Sequence, residues 1–444
     1  MHRSEKRNAF IGWLMAAILI LTIPAAMFRL NQAREQVKAR DVMKLTDKSG
    51  QILDREGTVL FAENKVYYQD VLGSVIGSFG QESTLLGSHS QFLVPEIPVI
   101  GGIENAENEN TMKTTLMDPI AQRAIAQHFG NKGGACFAYD YTTGEILCLL
   151  SVDGETSFTG GNRCLTGLYT PGSTMKVITS ILAFRNDPGF REHFSVSCQG
   201  EEKLPGGIRV KCAGYHKGTD ALEALGQSCN IAYAHIAADL DPITTMENLE
   251  TLGFSLNAED YGSTESISGL TKSRSTTEYL GDGSYNSVWG LVGQGKTSVN
   301  LMDMAMIAGA VANEGQAAQP YLVEAVINHR GKAVWKGGQG QMKLLMDPDT
   351  AHAMDSFWTD AYDTYYGQGS RGLSEIYSYA KTGTAQLGSG LENKLLLGVS
   401  KEYHIAFMIV VESYESGDPT PNQIANALAE QVIQLKGELN NDEE

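Results

Sequence analysis

The sequence predicts an α+β fold: an antiparallel sheet of about five strands flanked by helices, with an all-helical subdomain, preceded by a transmembrane helix and a small N-terminal domain. Three observations lead there. Two nearly continuous apolar runs in GGACFAYDYTTGEILCLLSV are answered much later by three more, in IYSYAKTGTAQL, NKLLLGV and YHIAFMIVVE. Between them, from about residue 170 to 315, apolar residues recur at helical spacing. Ahead of both, Ala9 to Phe28 carries no ionisable side chain.

That first run, with FIGWLMAAILILTIPAAMF at its heart, is long enough at ~1.5 Å per residue to cross a bilayer, and it lacks the polar face of a buried core helix. His2, Arg3, Lys6 and Arg7 resemble the start of a signal peptide, but the apolar stretch is too long and no small-x-small cleavage site follows. Arg29, Arg34, Lys38 and Arg40 balance the charges in front, so charge counting does not fix the orientation. Long domains translocate largely regardless of charge. The expected layout is therefore a cytoplasmic tail (1–8), a single membrane span (9–29) and an extracytoplasmic remainder at the cell membrane.

LNQAREQVKARDVMK has helical periodicity, and SGQILDREGTVLFAENKVYYQDVLGSVIG reads as short strands separated by glycine-containing turns. The polar stretch 101–115 marks a boundary, which makes 30–115 a small N-terminal domain with its linker. The large domain, 116–438, opens with a helix in MDPIAQRAIAQHF, where Asp118 can cap and Pro119 can take the first position. Asp140 to Gly144 then join the first two strands as an antiparallel hairpin. NQIANALAEQVIQLK supplies a final amphipathic helix before the acidic tail, 439–444, a solvated end.

Composition excludes some functions. The chain has 444 residues and a net charge of −18, which repels a phosphate backbone, and no Lys/Arg stripe offsets it locally, so no nucleic acid is expected. The six cysteines form no C-x-x-C pair, and no histidine stands at metal-ligand spacing, so no metal and no cofactor are expected. Cys136 and Cys148 lie in strand runs and read as buried thiols. Cys198 and Cys212 flank SCQGEEKLPGGIRVKC, a hairpin able to bring them together as a disulfide in an oxidising exterior, although the spacing leaves that open.

The chemistry is concentrated in short segments. In YTPGSTMKV, Pro171-Gly172 introduce an apolar helix, so Ser173 stands in its first turn and Lys176 one turn on, on the same face. The helix N-terminus favours an oxyanion, and a desolvated lysine close to another cation can act as a base. S-x-x-K recurs at Ser378–Lys381, but there the serine falls in mid-strand. S-x-N occurs at Ser228, Ser255, Ser284 and Ser298; only Ser228-Cys229-Asn230 lies between helical stretches, ALEALGQ and IAYAHIAADL, able to hold it rigidly. K-T-G occurs once, at Lys381-Thr382-Gly383, and Thr384 follows it.

This order of motifs resembles a penicillin-binding protein transpeptidase domain of the class B, monofunctional, membrane-anchored kind, on the fold shared with β-lactamases. YTPGSTMK is similar to the family's Y-x-P-G-S-x-x-K, KTGTA to its third motif, GQGKTSVNLMDMAMIAGAVANEG to its G-Q-G segment and following helix, and GQILDREGTVL to its early G-x-I-x-D-R-x-G stretch. The resemblance implies a serine-type D-Ala-D-Ala transpeptidase that cross-links peptidoglycan stem peptides and is acylated by β-lactam antibiotics. It makes Ser173 the nucleophile, Lys176 its base and Ser228 a proton shuttle. Asn230 would bind the substrate backbone, and Lys381, Thr382, Gly383 and Thr384 would form the carboxylate site. The backbone N–H groups of Ser173 and Thr384 would make the oxyanion hole. Implied partners are the bacterial membrane, through one helix, and a membrane glycan polymerase; a role in elongation, division or sporulation is left open.

Departures and alternatives stand beside it. Residues 30–115 are too few for the larger pedestals of many class B members, and Asn300-Leu301 replace a common Thr-Pro. Asp54-Arg55 fits an interdomain ion pair or a plain turn with solvated charges equally well. His216 and His235 read as structural, and Trp289 as groove-lining or core. The competing functions are a β-lactamase or β-lactam sensor on the same fold, and a non-catalytic cell-wall scaffold.

Overall fold

The computed structural model describes residues 49–442 apart from 79–80, 82, 95–107, 155–160, 339, 367–371 and 389. The expected membrane span at 9–29 and the tail before it lie outside the described residues. Among those described, no helix is long and apolar enough to cross a membrane.

The chain begins with three short strands, β1 (Gln51–Leu53), β2 (Val59–Ala62) and β3 (Lys65–Val66), then helix α1 (Gln69–Ile76) and strand β4 (Thr111–Thr114), the last within the polar stretch read as a boundary. Helix α2 (Pro119–Gln127) starts as expected, with the Asp118 carboxylate accepting the Ile120 N–H and proline in the first turn. Strands β5 (Gly134–Asp140) and β6 (Ile146–Val152) make the apolar hairpin.

They belong to a five-stranded antiparallel sheet completed by β17 (Tyr379–Gln386), β18 (Glu392–Ser400) and β19 (Ile405–Tyr414), in the order β17-β18-β19-β5-β6. The apolar runs are continuous because both faces are covered. Every residue of β5 is buried, as is β19 from Ile405 to Val411. Two helices buried almost all round lie beneath the site: α3 (Met175–Asn186) and α8 (Leu301–Ala312), the latter packed on β18, β19 and β5. Helix α10 (Pro421–Asp442) packs on β18, β19 and α2.

Helices α4 (Ala221–Gly226), α5 (Asn230–Asp239), α6 (Pro242–Thr251), α7 (Tyr285–Val292) and α9 (Pro348–Tyr365) build the rest of the large domain. The all-helical expectation for the middle of the chain needs correction. Strand β7 (Ser195–Cys198) pairs with β10 (His216–Asp220), and the expected hairpin, β8 (Glu201–Lys203) with β9 (Arg209–Lys211), is nested between them. The same stretch contains a further hairpin, β11 (Thr264–Ile267) and β12 (Leu270–Ser273). Its turn residues, Ser268 and Gly269, both have positive φ, as a tight hairpin turn requires.

The small sheet was only partly visible in residues 48–78. Its order is β15-β14-β4-β1-β2-β3, where β14 (Val323–Ile327) and β15 (Ala333–Lys336) return from far downstream. They are flanked by the paired strands β13 (Gln316–Ala318) and β16 (Met342–Leu344). The Asp54-Arg55 segment combines a turn with an ion pair to a distant residue, and the Asp54 carboxylate is buried rather than solvated. Asp54 is buried and accepts the Thr58 N–H at 2.7 Å to close a turn, while Arg55 reaches Glu145 on the β5–β6 connection at 3.1 Å.

Candidate active site

Ser173 lies in a single 3₁₀ turn, Gly172–Thr174, that runs directly into α3, so the Pro-Gly corner does launch the helix but one turn tighter than expected. The corner is held from both sides. The Tyr169 hydroxyl donates to Glu412 on β19 at 2.7 Å, and Arg163 reaches the same oxygen at 3.0 Å. On the other side the corner presses on β17, where a Cβ at Gly172 would lie 2.5 Å from the Thr384 carbonyl oxygen and one at Gly383 would lie 2.7 Å from that of Pro171. Gly172 also has φ +53°, so glycine here serves both the backbone conformation and the close approach.

Lys176, in the first turn of α3 and three residues after Ser173, is fully buried. Its Nζ lies 2.6 Å from Asn230 Oδ1, 2.7 Å from the Ser228 carbonyl oxygen, 3.1 Å from Ser173 Oγ and 3.2 Å from Ser228 Oγ. The two shortest contacts go to atoms that can only accept. A neutral amine has two N–H bonds for them and a lone pair left for a hydroxyl proton. Burial first, and the charge of Lys381 second, hold the amine well below the ordinary lysine pKa, which favours that neutral form. The arrangement can therefore take the proton from Ser173.

Ser228 and Asn230 owe their placement to the junction of two helices. At the end of α4, the Ser228 N–H bonds to the Leu225 carbonyl and the Cys229 N–H to that of Ala224, a Schellman closure with Ser228 in the left-handed position at φ +59°. Glycine is the usual occupant; a serine there costs of order 1–3 kcal/mol and needs the surroundings to hold it. Cys229 then caps α5, its sulfur accepting the Ala232 N–H at 3.4 Å. The Asn230 amide is oriented by donating to the Lys211 carbonyl at 3.0 Å.

Lys381, buried on β17, reaches Ser228 Oγ at 3.1 Å, Tyr366 OH at 3.3 Å and the Thr382 carbonyl at 3.0 Å. Ser173, Lys176, Ser228, Asn230 and Lys381 thus form one connected cluster. Thr382 and Thr384 stand beside it on the same strand, Thr382 bonded to Tyr366 OH at 3.2 Å and Thr384 Oγ1 to Lys394 at 3.2 Å. Gln294 of the G-Q-G segment donates to the Thr384 carbonyl at 3.3 Å. Tyr366 and Lys394 had no motif to announce them; Tyr366 follows α9, and only tertiary packing delivers it to Lys381.

The decoys separate cleanly. Ser378 accepts the Lys401 N–H at the head of β17, Ser284 caps α7, and Ser298 pairs with Thr276 through backbone bonds. Asn300 caps α8 and also donates to the carbonyls of Cys164, Leu165 and Gly167, so its effect reaches the segment leading into the Pro-Gly corner. His235 bonds Glu202 at 3.0 Å, and Trp289 packs against Tyr285.

The cysteines answer one question that the spacing left open and show one grouping that it did not suggest. Cys198 and Cys212 are both free, because β7 pairs Cys198 with His216 while Cys212 faces Cys229. The absence of metal-ligand spacing is also misleading, since the nested ribbons gather Cys198, Cys212, His216 and Cys229 with their ligand atoms all within 4.8 Å of one another. The one available signal was the crowding of three cysteines and a histidine into residues 198–229, with Cys229 inside the S-x-N motif.

Known proteins resemble this chain in sequence and in fold. Residues 134–434 match the family described as the penicillin binding protein transpeptidase domain. Peptidoglycan D,D-transpeptidase PbpA of Mycolicibacterium smegmatis is 23% identical over 238 residues, 52% of this chain and 46% of that protein. MrdA of Acinetobacter baumannii, of the same description, is 25% identical over 391 residues, 80% of this chain and 55% of that protein. The chain thus spans about half the length of these relatives. Among solved structures, the D,D-transpeptidase domain of a peptidoglycan glycosyltransferase from Eggerthella lenta aligns with a TM-score of 0.72 at 20% identity, covering 88% of this chain and 99% of that one. Penicillin-binding protein A of M. tuberculosis, as an imipenem acyl-enzyme, aligns with a TM-score of 0.71 at 19% identity, covering 88% and 100%.

Proposed function

The chain belongs to the penicillin-binding protein transpeptidase family, and on that premise we propose that it is a peptidoglycan D,D-transpeptidase working through a serine acyl-enzyme. The observation that carries the reading is the 3.1 Å contact between Lys176 Nζ and Ser173 Oγ, with the amine buried and its N–H bonds engaged elsewhere.

Ser173 Oγ attacks the D-Ala-D-Ala carbonyl while its proton passes to Lys176. The backbone N–H groups of Ser173 and Thr384 stabilise the oxyanion, each donor contributing ~3 kcal/mol in the transition state. As the C–N bond breaks, a proton moves from Lys176 through Ser228 Oγ to the departing amine, and D-alanine leaves. An amine of a second stem peptide then attacks the ester, with the same residues acting in reverse, and regenerates Ser173. Asn230 holds the donor backbone, and Lys381, Thr382 and Thr384 bind its terminal carboxylate along a strand that Gly383 allows close to the corner. In a β-lactam the amine released by acylation stays tethered, so the ester persists.

A β-lactamase would need a base to activate water against that ester. Among the described residues, the groups bonded to Ser173, Lys176 and Ser228 are amines, hydroxyls, an amide and a carbonyl, with no carboxylate. We further read Ala9–Phe28 as a membrane anchor with the catalytic domain outside, where a glycan polymerase would supply its substrate.

Fluorescent penicillin tests the reading. Wild type and Ser378→Ala are expected to label stably and Ser173→Ala to stay dark. Rapid release of label would turn the assignment to a β-lactamase, and labelling that persists without Ser173 would overturn it.

A further inference from the structure

The cluster of Cys198, Cys212, His216 and Cys229 has no part in the chemistry above, yet it joins the elements that carry it. Cys198 ends β7, His216 begins β10 as its cross-strand neighbour, Cys212 follows β9, and Cys229 opens α5 between Ser228 and Asn230. Cys198 and Cys229 are fully buried and His216 nearly so. Cys212 Sγ lies 3.9 Å from Cys229 Sγ and 3.7 Å from His216 Nδ1. A zinc ion held tetrahedrally by sulfur at ~2.3 Å and nitrogen at ~2.1 Å sets edges of about 3.8 and 3.6 Å. A disulfide requires about 2.05 Å, and with all four ligand atoms within 4.8 Å of one another the cluster leaves room for one ion among them.

Surroundings point the same way. The Ala232 N–H aims at the Cys229 sulfur at 3.4 Å, as expected beside a thiolate ligand. The ribbon itself has little else to hold it. In β8 and β9, Glu201, Lys203, Arg209 and Lys211 are exposed, and only Leu204, Ile208 and Val210 give this part a core. A small, polar ribbon of this kind needs a staple.

We infer that Cys198, Cys212, His216 and Cys229 bind one structural Zn²⁺, and that this ion clamps the Ser228-Cys229-Asn230 turn to the β7–β10 ribbon. The clamp would act as a positioning device. It fixes Cys229 next to the left-handed Ser228, and it fixes the β9 end whose Lys211 carbonyl orients Asn230. The second half of the inference rests on the proposed acyl-enzyme function; the first does not.

The full chain, purified under reducing conditions, should contain one zinc per molecule by elemental analysis. Exchange for Co²⁺ should give thiolate charge-transfer bands and the d–d spectrum of a tetrahedral site. Cys198→Ser and His216→Ala should lose the metal, while Cys164→Ser, a buried cysteine outside the cluster, should keep it. Removing zinc from wild type with a mercurial and a chelator should slow fluorescent-penicillin labelling by about 10-fold or more, and zinc with excess thiol should restore it. Metal-free protein after zinc saturation, metal retained in both ligand variants, or a native Cys212–Cys229 disulfide by mass spectrometry would overturn the site. Unchanged labelling after stripping would overturn the clamp alone, and absent labelling in zinc-loaded protein would count against the acyl-enzyme function instead.

Discussion

Lys176 and Lys381 reach the same hydroxyl: Ser228 Oγ lies 3.2 Å from one Nζ and 3.1 Å from the other. Two amines on one oxygen cannot both carry charge cheaply, and burial together with the neighbouring Lys381 charge displaces Lys176 toward neutrality.

Acylation should therefore rise with pH through the lowered pKa of Lys176 and level off below the ordinary lysine value of 10.5. The stability sign follows from linkage. Between the folded and unfolded values the unfolded chain holds more protons, so this group's destabilising contribution is greatest at low pH and fades as pH rises toward 10.5. Lys176→Met should lower the acylation rate by about 10²–10⁴-fold, and a stopped-flow pH profile on wild type should show the early plateau.

Gly172→Ala should cost stability and activity together. Its Cβ would fall 2.5 Å from the Thr384 carbonyl in a backbone already at φ +53°, so β17 must shift, at about 1–3 kcal/mol. Gly206→Ala, at φ +75° but with nothing within 4 Å, is the control for conformation alone. Thermal melts and penicillin labelling of both variants separate the two effects.

Tyr169→Phe should destabilise by about 1.5–3 kcal/mol, since a buried hydroxyl that bonds a carboxylate is removed. Glu412 keeps Arg163 at 3.0 Å, so the loss should stay within that range in denaturant titrations.

Tyr366→Phe removes a hydroxyl partner from both Lys381 and Thr382. Loss of ~1 kcal/mol of orientation should lower the second-order acylation rate about fivefold and leave the melting temperature nearly unchanged. An equal loss in both would mark Tyr366 as structural only.

What the sequence disclosed follows the range of the forces involved. Ser173 and Lys176 were legible because one helical turn sets their relation, and the five strands because burial on both faces leaves unbroken apolar runs. Ser228 was legible through its flanking helices, but not its left-handed backbone, since the rule there favours glycine. Tyr366, the thiol cluster and the return of β14–β15 depend on strands and helices that meet only after the chain has folded. No local periodicity records those meetings.

The small sheet has an inner strand, β4, whose neighbour β14 is made long after it; at their junction Thr115 bonds the Tyr321 carbonyl across 206 residues. During synthesis, β4 must wait with one edge bare until Val323–Ile327 has emerged. Any fragment that begins after β4 would likewise leave one edge of β14 an open template for pairing with other chains. The two sheets are one unit of manufacture: shortening the protein from its front end should give aggregates rather than a soluble remainder.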